Sequence, residues 1–335
     1  GEREKTFLAK TYEMEKFLSS ELAKNSEDKI TIESWVESKI LLARAVWTEH
    51  QNLKARQILD ELLSSNLGSD NQKANIHYIY GQLHLESKEN TEALKRFYEA
   101  NKFKVTDLAA LENIQWAIIW NNYLLKKNEN VVSFSDDFIK RSSNQNFIVK
   151  LNYWKAKALL RLNKQEEAND VLNSLKNEDP FGYYGIIANI DLQTPLRPLA
   201  STIIDSNPTG IEILDWLIAM DEKDYAQKYL KEIDSKFKTP IERERAMSLY
   251  YQTQWFQGGM RQVYNFKQSS RNSITFKYIN VIFPTPYLKT VESLAHKYKV
   301  PGQLVYAITR QESAFNPSSR SWADAFGLMQ MIPEK

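Results

Sequence analysis

One carboxylate near the C-terminal end of the sequence is placed where acid–base chemistry could be done. Residues 310–317 read Arg-Gln-Glu-Ser-Ala-Phe-Asn-Pro, and the carboxylate is Glu312. A helix opening at Val300-Pro301-Gly302 puts Leu304, Val305 and Ile308 on one face, with Glu312 four residues after Ile308 on the same stripe. Pro301 suits a first helical position, where its missing N–H costs nothing. A carboxylate on a buried stripe is unusual, and in a last turn the helix carbonyls disfavour negative charge. Desolvation and the helix end both favour the protonated form, as a general acid working near neutral pH requires. For an isolated glutamate, a frayed helix end with the head group in water is the more ordinary explanation.

More polar residues follow at short range. Ser321 lies nine residues after Glu312, and Gly327-Leu328-Met329-Gln330 closes the stretch before Met331-Ile332-Pro333. Asp324 falls between them. It reads either as a second carboxylate or as an exposed loop or capping residue. Metal chemistry has no support: His50, His77, His84 and His296 show no ligand spacing. The absence of cysteine excludes disulfides and thiolate sites. No cofactor is implied.

The elements that must hold these groups are helical. Ten glycines and ten prolines are few for 335 residues, and helix formers fill long stretches. Trp35, Ile40, Leu41 and Ala45 recur at helical spacing, as do Leu108, Leu111, Trp116, Ile119 and Trp120. A degenerate repeat lies beneath. Ala43, Ala55, Leu59 and Leu62 are separated by 12, 4 and 3 residues, and so are Gly81, Ala93, Phe97 and Ala100, and again Ala156, Ala168, Leu172 and Leu175. Small residues at the first two positions let antiparallel helices approach, and the larger pair fills the gap beside them. This predicts tetratricopeptide-like helix pairs in a solenoid, with a generic helical bundle as the alternative.

Pro195 and Pro198 suggest one boundary, and Phe283-Pro284-Thr285-Pro286 breaks any helix near another. The expected division is 1–195, 196–278 and 279–335. Gly258-Gly259 reads as a turn between helices. Trp116, Trp120, Trp154, Trp216 and Trp255 read mostly as interhelical packing, and Tyr183 and Tyr184 as structural.

Composition narrows the functional classes. A formal net charge of +2 without a basic stripe argues against nucleic-acid binding. No apolar run reaches the roughly 18 residues of a membrane span, so stable membrane insertion is not expected. The chain opens Gly1-Glu2-Arg3-Glu4 without a signal peptide, as a processed or trimmed chain would.

From Phe283 to Pro333 the sequence resembles the soluble lytic murein transglycosylases. The resemblance rests on Phe-Pro-x-Pro-Tyr, Ile-Thr-Arg-Gln-Glu-Ser-Ala-Phe-Asn-Pro, Ser321 and Gly-Leu-Met-Gln, in register without insertion. It implies an all-α protein: a helical superhelical domain (1–195, a ring or horseshoe), a helical linker domain (196–278), and the N-terminal part of a lysozyme-like α domain (279–335). It implies a periplasmic enzyme that cleaves the MurNAc-β-1,4-GlcNAc bond of peptidoglycan glycan strands and leaves 1,6-anhydro-MurNAc ends. Glu312 would be the one catalytic carboxylate, acid first and then base. Ser313, Ser321, Gly327, Met329 and Gln330 would meet the substrate.

Two departures stand out: Asp324-Ala325-Phe326 replaces the usual Gly-Ala-x, and Ile332 stands where many relatives carry Met. Lytic transglycosylase domains of this kind continue well beyond the motif. The chain as given is therefore expected to be inactive or weak, with one side of Glu312 uncovered. A non-catalytic helical-repeat scaffold that binds glycan or a cell-wall partner, and a lysozyme-type hydrolase, are the alternatives.

Overall fold

The computed structural model describes residues 2–195, 209–266 and 268–333. The boundary residues Leu196, Arg197 and Pro198 lie outside them. The described residues form α-helices and one short 3-10 turn, with isolated β-bridges and no strand. The chain divides into two compact units, Gly1–Thr194 and Pro195–Lys335.

The first unit runs α1 (Glu2–Lys24), α2 (Lys29–Thr48), α3 (Asn52–Ser65), α4 (Asp70–Glu86), α5 (Asn90–Ala100), α6 (Leu108–Leu124), α7 (Asn128–Arg141), α8 (Gln145–Arg161), α9 (Gln165–Glu178) and α10 (Tyr183–Asp191). The repeat residues are its core. Ala43, Ala55, Leu59, Ala93, Phe97, Ala100, Ala156 and Ala168 are fully buried, with Leu62, Leu172 and Leu175 nearly so. Gly81 has a steric reason: a Cβ there would lie 2.4 Å from Cε1 of Phe97. In that copy position one faces position three of the partner helix, and the pair sets how closely the two helices approach.

A further copy was hidden by residue size. Ile119, Val131, Ser135 and Phe138 keep the 12, 4, 3 spacing on α6 and α7 and are all fully buried. In each copy the seventh residue after position one takes a left-handed conformation: His50, Lys88, Lys126 and Asn163, with φ between 58° and 61°. None is glycine. The residue after each then reaches back five places in a Schellman bond, as in Glu89 N–H to His84 O (2.8 Å) and Lys127 N–H to Asn122 O (2.9 Å). These bonds satisfy helix-end carbonyls and offset the steric cost of a left-handed lysine, which is about 1–2 kcal/mol.

The tryptophans of α6 and α8 pack together: Trp120 meets Trp154 edge-on at 4.8 Å, and Trp116 stacks on Trp120 at 5.8 Å. Tyr184 continues the cluster against Tyr153, while Tyr183 is 70% exposed. His77 stacks on Phe103, and His84 stacks on Tyr80 while its Nδ1 bonds Glu89.

The second unit contains α11 (Glu212–Ala219), α12 (Lys223–Ile233), the 3-10 turn Asp234–Lys236, α13 (Pro240–Gln252), α14 (Phe256–Val263), α15 (Gln268–Lys277), α16 (Ile279–Ile282), α17 (Leu288–Tyr298) and α18 (Gly302–Ser313). The same spacing returns in Leu214, Ala226, Leu230 and Ile233, and in Met247, Gly259, Val263 and Phe266. Asp221 and Gln254 are the left-handed seventh residues, each at φ 58°. Gly258 and Gly259 are therefore not a turn. They lie inside α14, where a Cβ on Gly259 would meet Val281 at 2.3 Å, and the turn is at Thr253–Trp255. The apolar core of this unit extends from Leu214 to Ile282, whereas α17 has no buried residue.

Candidate active site

Helix α18 carries Glu312 in its last turn, as the sequence predicts, but the helix is rotated relative to that prediction. Its buried residues are Thr309 and Ser313, continued by the half-buried Val305, Tyr306 and Arg310. Glu312 is exposed, beside Leu304 (49% exposed) and Ile308 (36%). The expectation of a glutamate on the buried stripe is thus corrected. Two apolar stripes adjoin on α18, and it packs through the one that carries Tyr306 and Arg310.

The Phe-Pro-x-Pro segment is what it packs on. The Tyr306 hydroxyl donates to Pro286 O at 3.1 Å, and Arg310 Nε donates to Ile282 O at 3.1 Å. The guanidinium also lies 4.8 Å from the Phe283 ring centroid. Burial lowers the Arg310 guanidinium below its ordinary range, and burial followed by the Glu292 carboxylate raises the Tyr306 hydroxyl. Both residues were passed over in the sequence. Their four-residue spacing on one helix face, opposite a proline pair, is the signal that could have found them.

Past Ser313 the chain leaves the helix through two successive left-handed residues, Ala314 (φ 48°) and Phe315 (φ 65°). A bulky residue at positive φ is strained. Phe315 is held by burial to 5% exposure and by an edge-on contact with Phe256 at 6.0 Å. The strained corner redirects the chain into the loop that carries the remaining site residues.

That loop is knitted by the polar groups the sequence singles out. Ser313 Oγ donates to Leu328 O at 2.8 Å and to Thr309 O at 3.2 Å. Ser321 Oγ accepts from the amides of Ala323 and Ala325. Gln330 Nε2 donates to Ser319 O at 3.1 Å and Gly327 O at 2.9 Å. Phe326 and Met331 exchange amide bonds of 2.9 and 3.1 Å. Gly327 takes φ 73°, where only glycine is unstrained. Ser313, Ser321 and Gln330 thus spend their polar groups inside the loop, while Met329 is 37% exposed.

Among the described residues Glu312 has no hydrogen-bond or ion-pair partner. Asp324 pairs with Arg320 (2.7 Å) on the exposed rim. Trp322, unremarked in the sequence, stands 97% exposed on this loop. The arrangement offers one free carboxylate on a rigid helix end, beside a braced loop and an open apolar face.

Comparison with known proteins matches this region to a family. The profile of the Transglycosylase SLT domain covers residues 289–335. The soluble lytic murein transglycosylase of Escherichia coli K12 is 23% identical over 188 residues, which is 54% of this chain and 27% of that protein. Membrane-bound lytic murein transglycosylase C of Actinobacillus pleuropneumoniae serotype 5b is 45% identical over 47 residues, 14% of this chain and 13% of that one. In fold, the lytic transglycosylase Slt of Pseudomonas aeruginosa, solved as an inactive mutant, aligns with a TM-score of 0.66 at 20% identity. That alignment covers 97% of this chain and 52% of the Pseudomonas chain. The chain thus spans about half the Slt structure, and its match a little over a quarter of the E. coli protein. Residues 289–335, on α17, α18 and the following loop, thus match the Transglycosylase SLT domain, and the chain is similar in sequence to soluble lytic murein transglycosylases.

Proposed function

We propose that the chain belongs to a periplasmic enzyme that cuts peptidoglycan glycan strands by transglycosylation, with Glu312 as the single acid–base group. The observation that carries this is the isolation of Glu312: it is free of partners among the described residues, while Asp324 is tied to Arg320. A lone carboxylate suits an intramolecular attack. As acid it protonates the glycosidic oxygen between N-acetylmuramic acid and N-acetylglucosamine. As base it then takes the proton of the muramic 6-hydroxyl, whose oxygen bonds to the anomeric carbon and closes the 1,6-anhydro ring. No water need be positioned, because nucleophile and electrophile share one sugar. Hydrolysis through a second carboxylate is the weaker reading, since an ion-paired, exposed Asp324 is poorly suited to activate water.

Ser313, Ser321, Gly327 and Gln330 are proposed to act on the substrate mainly by shaping the loop, and Met329 by direct contact. Residues 279–335 are proposed as the opening part of the catalytic domain. The open face of Leu304 and Ile308 leaves Glu312 in water, so the chain by itself is proposed to turn over slowly. Digesting purified murein and weighing the products tests the reading. Anhydro-muropeptides are expected, and Glu312→Gln should lower their rate by about 10²–10⁴-fold, as loss of a general acid–base does. Reducing-end products would show hydrolysis instead. Undiminished cleavage by the variant would refute the role of Glu312, and binding without products would leave a scaffold.

A further inference from the structure

One face of α8 carries Lys150, Trp154, Lys157 and Arg161, whose spacings of four, three and four residues keep them in line along the helix. The two outer cations reach onto rings of α6. Lys150 Nζ lies 3.5 Å from the Trp116 ring centroid, and the Arg161 guanidinium lies 3.5 Å from that of Tyr123. Arg161 also donates from one Nη to Tyr123 O at 2.8 Å. The middle cation is neutralised, because Lys157 pairs with Asp191 of α10 at 3.1 Å. Trp120 and Trp154, both half-buried, meet edge-on at 4.8 Å beside this line.

Among the described residues neither Lys150 nor Arg161 meets a carboxylate. Lys150 is half-buried, and burial alone lowers its ammonium below the ordinary range. The Trp116 face offsets part of that cost. Methionine would fill the same space without any charge to desolvate, so packing by itself gives no reason for a lysine there. An anion arriving from outside does.

We propose that this strip binds an extended acidic segment of a partner protein, with one carboxylate at Lys150, another at Arg161 and an apolar side chain on Trp120 and Trp154. A rise of 1.5 Å per residue sets the outer cations about 16 Å apart, the span of about five residues of extended chain. A single small anion cannot bridge that distance. A nucleic acid carries phosphates along its whole length, and one midway would meet the Asp191 carboxylate that already holds Lys157. Of the guanidinium donors of Arg161, one is spent on Tyr123 O, which orients the others for a carboxylate. The strip lies in the first unit and its occupant is a polypeptide, so the proposal stands independently of the chemistry assigned to Glu312.

The test is calorimetric titration of the chain with the peptide acetyl-Glu-Ala-Phe-Ala-Ala-Glu-amide. Saturable binding is expected, weakening as sodium chloride rises from about 50 to about 200 mM. Lys150→Met and Arg161→Met, which keep bulk and remove charge, should each lower the affinity by about tenfold. Lys150→Arg should bind as the native chain does, and so should Lys95→Met on α5. The same peptide with Gln in place of both Glu residues should not bind, which tests the charge without altering the protein. Absence of binding by the acidic peptide, equal affinity for the Gln peptide, or undiminished affinity in both Met variants would overturn the proposal. Tighter binding of an octathymidylate would overturn it in favour of a nucleic acid, and tighter binding of a muropeptide would reassign the strip to the murein.

Discussion

Replacing Ser313 with alanine separates bracing from substrate contact. The hydroxyl is buried, and it bridges Thr309 O to Leu328 O. After removal Thr309 O keeps its helical amide, but Leu328 O loses the only donor found for it in the described residues. A half-buried carbonyl left without a partner costs about 1–2 kcal/mol. That cost falls on the loop rather than on the core, because the bond joins α18 to the Gly-Leu-Met-Gln segment. A free-energy loss of about 1.4 kcal/mol is tenfold in an opening equilibrium. Amide hydrogen exchange should therefore quicken by roughly tenfold at Phe326 and Met331, whose amides pair across the loop, and stay unchanged at buried α13 positions such as Leu249 and Tyr250. Unchanged exchange at Phe326 and Met331 would refute the bracing role. Faster exchange everywhere would show that the substitution weakens the unit as a whole.

Two other perturbations address the first unit. Gly81→Ala gains about 1 kcal/mol of helix propensity, but its Cβ would sit 2.4 Å from the fully buried Phe97 ring. Overpacking of that kind costs about 1–3 kcal/mol, so the urea midpoint should fall; a rise would mean the ring can move aside. His77 is held below the ordinary imidazole range by burial first and by Arg96 second. Below a pH of about 6.5 the unfolded chain takes up a proton that the folded one resists, so stability should fall as pH drops from there. His77→Phe, which keeps the stack on Phe103, should flatten the change in urea midpoint between pH 7.5 and 5.5 measured for the native chain, and equal slopes would remove the histidine from the account.

Much of the helical architecture was legible because its repeat depends on close approach. Gly81, Ala93, Ala156 and Ala168 are small where helices touch, and that is visible in a string of letters. The copy at Ile119, Val131, Ser135 and Phe138 was not, because buried bulk can be redistributed between facing helices while the spacing stays. The glycine pair at 258–259 was misread for a related reason. Glycine marks either a turn or a close contact, and only the position of Val281, brought up by α16, decides between them.

At the site, the residue types and their order were enough to single out Glu312 and to place it in a last helical turn, since both depend on chain-local geometry. Which stripe of α18 would be buried was a different matter. Leu304 and Ile308 are as apolar as Val305 and Tyr306, so periodicity allowed either face. The bonds from Tyr306 and Arg310 to the Phe-Pro-x-Pro segment chose one, and they join residues 20 and 28 positions apart. The inward roles of Ser313, Ser321 and Gln330 likewise arose only when the loop folded back on α18. The place of Glu312 at the end of a helix was written in the sequence, because one residue and its neighbours along a helix carry it. How that carboxylate meets solvent was decided by tertiary structure, because exposure depends on what other segments cover, and spacing along the chain does not encode that.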